Sequence, residues 1–221
     1  MITHQIPRRL PTYAMAPDGA RRAGLGSARP VGEPSLLTSP TIVETVRLAG
    51  AVAGSLTIAC GVIALVVHVS AAAAARRWLA FPFAGIPARP SEAASIFSHN
   101  VRALGAVCGL LLIAQSGHWD AAGGAPGLAH RMLRTLGEAL LAAAVAVNLV
   151  VIGASFGAYG TRMVRAALPN GPVELTAYSL ALALYLHGRG RRLPARCVVA
   201  VLVLSVSTLA LAAVLETYVN V

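Results

Sequence analysis

"LAGAVAGSLTIACGVIALVVHVSAAAAA", Leu48 to Ala75, runs for 28 residues without an acid, a lysine or an arginine. A helix rises about 1.5 Å per residue, so this run reaches about 42 Å, more than the roughly 30 Å of a bilayer's hydrocarbon. Arg47 closes one end; Arg76, Arg77 and Trp78 close the other. Arginine and tryptophan are the side chains that settle at a membrane–water interface. The stretch reads as a membrane span, and it sets the fold class: an all-α, polytopic membrane helix bundle.

The rest of the chain agrees. Of 221 residues, 57% are hydrophobic and 12% charged, about half the charged share of a soluble domain. That is too little charge to clothe a water-facing surface, which argues against a soluble protein; the alternative, a soluble Ala-rich helical bundle, does not explain apolar runs of membrane length. All 18 basic residues are arginine, against eight acids, for a formal charge of +10. The arginines adjoin apolar runs, as in loops and tails near an anionic leaflet. They do not gather as they would on a nucleic-acid-binding surface.

Residues 1–40 carry six prolines and five arginines with no long apolar run, which predicts a disordered basic tail rather than a secretory signal peptide. Residues 41–221 hold five apolar segments, near 48–75, 92–117, 139–160, 172–187 and 197–215. Between the first two, "FPFAGIPARP" has too many prolines for a regular helix. Ser91 is a candidate N-cap for the second segment and Trp119 an interfacial anchor at its far end. "DAAGGAPGLAHRMLR" (Asp120–Arg134) and "YGTRMVRAALPNG" (Tyr159–Gly171) read as breaks. With the N-terminus cytoplasmic, twelve arginines fall on the inner side and six on the outer, which favours that orientation.

Polar side chains inside membrane segments are costly and turn toward each other. The candidates for a polar cluster are Asn100, Asn148, Asn170, Glu174 and Tyr178, with Glu92 and His99 nearby in sequence. Glu92, Ile96 and Asn100 fall on one helix face. In "LPNGPVE", Gly171 suits an N-cap and Pro172 the first helical position, which puts Glu174 at the positive end of the helix dipole. Glu174 is therefore a capping carboxylate, a wall of a polar pocket, or both at once, since a broken helix at membrane depth is tolerated beside a cavity or buried protein. Glu174, His99, Glu92 and Cys108 are the candidate acids, bases or nucleophiles. Three glycine pairs at i, i+4 allow close helix approach: Gly50/Gly54, Gly105/Gly109 and Gly153/Gly157. Cys60, Cys108 and Cys197 lie in apolar segments and suit neither a disulfide framework nor a zinc site. No spacing of ligands implies a metal, and no motif implies a cofactor.

"IFSHNVRALGAVCGLLL" (Ile96–Leu112), "VNLVVIGASFGAYG" (Val147–Gly160) and "LPNGPVELTAYSLALAL" (Leu168–Leu184) together resemble the stage II sporulation protein M family, over roughly Glu92 to Arg196. Asn170 stands where that family's Pro-His-Gly signature has histidine, so a role needing a protonatable group there does not carry over. The resemblance implies a multipass helical protein of the bacterial cell membrane. It implies work with a partner protein subunit, either as a scaffold for peptidoglycan remodelling or in the maturation of ribosomally made peptides such as bacteriocins. The expectation taken forward is a membrane subunit of a peptide-maturation complex, with membrane lipid, a partner subunit and an apolar precursor peptide as its contacts, and no nucleic acid. An envelope scaffold and a permease subunit lacking its ATPase are the alternatives.

Overall fold

The computed structural model describes residues 40–81, 83, 87–119 and 127–219, with the backbone alone at Pro40, His118 and Trp119. The basic tail and the anchoring role of Trp119 lie outside the described residues.

The described residues form helices and no strand. In chain order they are α1 (Pro40–Ser70), α2 (Ala72–Leu79), α3 (Pro90–Trp119), α4 (Leu128–Tyr159), α5 (Thr161–Ala167), α6 (Gly171–Gly188) and α7 (Ala195–Tyr218). Four are long and apolar enough to cross a membrane: α1, α3, α4 and α7. This is the helical membrane bundle that the apolar runs predict. The outer surface is apolar: Ile58, Leu65, Leu140, Val147, Val199 and Val203 are all more than half exposed. Such a surface is stable against hydrocarbon and not against water.

The fourth apolar segment, α6, is shorter than these four and not among them, and it lies at the centre. It packs against α1, α3 and α7. Ala177, Leu180, Ala181, Ala183, Leu184 and Tyr185 are buried almost completely, together with Leu104, Leu111 and Leu209 from the neighbours. Its 18 residues span about 27 Å. Thr45, near the start of α1, meets His187 at one end of α6. Glu216, near the end of α7, meets Asn170 at the other. The helix therefore lies between the start of α1 and the end of α7, covered by its neighbours.

Several boundaries differ from the sequence reading. The run to Ala75 is not one helix: α1 stops at Ser70, Ala71 takes φ −143° and ψ 14°, and α2 starts afresh. Its cause is tertiary. Arg76 Nε donates to the Ala158 carbonyl at 2.7 Å, covering the carbonyl end of α4 with a cation and drawing α2 across it. Tyr159 Oη accepts from Phe81 N–H and donates to the Arg76 carbonyl, and Phe83 stacks edge-on against the same tyrosine under Arg162. Ser91 is not the cap of α3; the helix begins one residue earlier, at Pro90, whose missing N–H costs nothing there. Leu128–Arg134 is not a flexible connection but the first two turns of α4, because nothing after Gly127 breaks a helix and Arg134 pairs with Glu138 one turn on. The break after Tyr159 is a bend at Gly160, φ +55°, followed by the short α5.

Of the three glycine pairs, one makes a helix contact. A Cβ at Gly153 would meet Ile63 and the Cys60 carbonyl, and one at Gly157 would meet the Ala64 carbonyl and Val67. Those two glycines let α4 lie against α1. Nothing lies within 4 Å of the corresponding position at Gly50, Gly54, Gly105 or Gly109, so these four pack no helix within the chain.

Candidate functional site

At the end of the bundle where α6 starts, three helices bring polar side chains together. Asn170 and Glu174 come from the start of α6 and Tyr178 from its next turn. Asn100 comes from three turns into α3, and Glu216 from the last turn of α7. The Asn100 side chain lies beside Glu174, while its carbonyl accepts from Tyr178 Oη at 3.3 Å. One asparagine thus faces two successive turns of α6. Asn170 lies beside Glu216, and the Glu174 and Glu216 carboxylates lie within electrostatic reach of each other. His99, exposed one residue before Asn100, lies within reach of Glu174.

The local reason for this placement differs from the capping that the sequence suggests. The N-cap of α6 is Asn170, not Gly171, and Pro172 is the second helical residue. The Glu174 N–H donates to the Asn170 carbonyl at 2.9 Å, as an ordinary helical bond. The Glu174 carboxylate makes no cap; it turns to Asn100 on the neighbouring helix. Glu174 stays in the first turn of α6 and also faces the polar cluster.

The structure brings Asn100, Asn170, Glu174 and Tyr178 together and leaves out the rest. Glu92 lies on the inward face with Ile96 and Asn100 but has no polar side-chain partner among the described residues. Cys108 is two turns beyond Asn100, about 12 Å along the helix axis, where it packs against the apolar core. Asn148 does not belong to the cluster. It is exposed on α4 and donates only to its own helix, to the Ala144 carbonyl at 2.9 Å. The helical turn at position 148 faces away from α1 and the core, a direction that hydropathy does not reveal.

Sequence reading missed Glu216, which at the end of an apolar run looks like a terminator. It also missed the polar contacts at the opposite end. There Gln115, 4% exposed, donates through Nε2 to the carbonyls of Gly188 (2.6 Å) and Arg191 (3.0 Å) and accepts from Leu193 N–H (3.0 Å). It ties down the α6–α7 connection. Tyr185 Oη donates to Glu138, which also accepts from Arg134. Arg191 bridges Glu44 and His187, and His187 Nδ1 meets Thr45 Oγ1. Thr45 gives its hydroxyl hydrogen to the Thr41 carbonyl, so the histidine is the donor in that pair.

No family model, curated protein or solved structure matches the chain. What the cluster can do must come from its chemistry. Two carboxylates from different helices, flanked by two amides and a phenol, form an acceptor-rich site at one end of an apolar bundle. Such a site can hold an ammonium group or exchange a proton, and apolar helix surface lies next to it. Among the described residues no group of histidine, cysteine and carboxylate side chains is placed to hold a metal ion.

Proposed function

We propose that this chain is the membrane subunit of a bacterial complex that matures a ribosomally synthesised peptide, with its N-terminus on the cytoplasmic side. The observation that carries the reading is the gathering of Glu174, Glu216, Asn100, Asn170 and Tyr178 from three helices at one end of the bundle. An apolar peptide entering from the bilayer would lie along the helices and present its ammonium or amide groups to these acceptors. Glu174 is the candidate acid or base, and a partner subunit supplies the groups that this chain lacks. The resemblance of Ile96–Leu112 and Leu168–Leu184 to the stage II sporulation protein M family supports the same reading, since two of the residues in those motifs, Asn100 and Glu174, meet each other.

An envelope scaffold needs an outward surface large enough to hold a wall enzyme, and with the N-terminus inside the outward connection before α6 is short: three residues join α5 to α6. The test is co-expression of the chain with a small precursor peptide encoded beside its gene and with the neighbouring proteins, followed by mass spectrometry of the peptide. The expected result is a mass change that is lost with Glu174→Gln. A peptide left unaltered in every combination removes the maturation reading. Modification that survives Glu174→Gln removes that carboxylate from the chemistry.

A further inference from the structure

Asn148 stands near the middle of Ala139–Ala158, a run whose only other polar side chain is Ser155. Ser155 is buried and satisfied by the Val151 carbonyl. Asn148 is exposed. Gly153 and Gly157, which seat α4 on α1, follow it by five and nine residues. At about 100° per residue, Asn148 points away from that contact. Around it the exposed surface is apolar: Leu140, Ala144, Val151 and Ile152.

A carboxamide facing hydrocarbon at this depth loses water and gains no acceptor or donor in return. It has two N–H groups and an oxygen, and one N–H is used on the Ala144 carbonyl. One donor and one acceptor are left. The group complementary to that set is a second carboxamide, and reciprocal pairing across a two-fold axis satisfies both copies with two hydrogen bonds. Copies inserted in the same sense share an axis along the membrane normal, so residue 148 meets residue 148. Ala144, one turn before, has a side chain small enough for the backbones to approach. We propose that two copies of this chain pair through the Asn148 face of α4.

The test is sedimentation equilibrium of the full chain in density-matched detergent micelles, with oxidative cross-linking alongside. The wild type is expected to show a monomer–dimer equilibrium that Asn148→Val weakens by about tenfold or more, while Val203→Ala on the exposed face of α7 leaves it unchanged. Ala144→Cys, which keeps Asn148, is expected to form a disulfide-linked dimer above the background from Cys60, Cys108 and Cys197. A wild type that stays monomeric at all concentrations overturns the proposal. So does a dimer indifferent to both Asn148→Val and Asn148→Leu, or an Ala144→Cys chain that does not cross-link.

Discussion

Tyr185 Oη sits 2.6 Å from Glu138 Oε1 and joins α6 to α4, two helices with little other contact. The bond is charge-assisted, with the carboxylate also held by Arg134 at 3.1 Å. Tyr185→Phe keeps the buried ring and removes only the donor. Hydrogen bonds to charged groups contribute about 1.5–3 kcal/mol. The expected outcome is a loss at the low end of that range, because Glu138 retains Arg134 and reaches water. Thermal unfolding in detergent checks it, and Arg134→Gln in the same background should deepen the loss.

Gly157 and Gly50 look alike in sequence, and their environments separate them. Gly157→Ala pushes a methyl group into the Ala64 carbonyl and Val67, and α4 must move off α1. Overpacking of this kind costs about 1–3 kcal/mol. Gly50→Ala meets nothing and removes a flexible residue from a helix, worth up to about 1 kcal/mol in its favour. Opposite signs are expected in the unfolding midpoints. Equal effects would mean that α1 and α4 do not meet at these glycines.

Gln115→Leu is close in size but loses all three bonds to the α6–α7 connection. It strands the buried Gly188 carbonyl and Leu193 N–H, while Arg191 is exposed. Unsatisfied buried groups cost about 1–3 kcal/mol each, so a destabilisation of about 3 kcal/mol or more is expected. Hydrogen exchange at Leu193 should rise even where the rest of the bundle stays protected.

Glu216→Gln keeps an acceptor for Asn170 while removing one of two neighbouring negative charges. Both carboxylates are partly exposed, so the repulsion relieved is small. A gain of about 1 kcal/mol or less is expected, read as a higher midpoint of thermal unfolding at neutral pH. A lower midpoint would show that the ionised Glu216 holds α7 to α6 more than it repels Glu174.

How much of this could be read from sequence depends on whether the cause is local. The spans α1 and α7 are legible because charge-free runs end on arginine or glutamate, whatever their neighbours are. Asn100, Asn170, Glu174 and Tyr178 are legible as a group because few polar residues interrupt the apolar runs. Glu216 is not, since its part depends on α6 and α7 lying antiparallel so that the last turn of one meets the first turn of the other. Gln115 has no local signature either; its three partners lie more than 70 residues ahead. Asn148 failed as a cluster member for a geometric reason. Hydropathy gives the depth of a side chain but not its azimuth. Gly153 and Gly50 differ by the same unknown.

The central place of α6 bears on how the protein is made. Glu174, Tyr178, Tyr185 and His187 make it a poor passenger for bare lipid on its own, and the six-residue link to α7 is tight enough for the two to enter as a hairpin. Biogenesis is then expected to finish from the inside: the pre-existing α1–α4 framework receives α6 only when α7 emerges to close over it. A chain truncated after Arg192, with Cys60 and Cys108 replaced by serine, should leave Ser179→Cys open to a water-borne thiol reagent, and the full-length chain, with Cys197 replaced as well, should protect it.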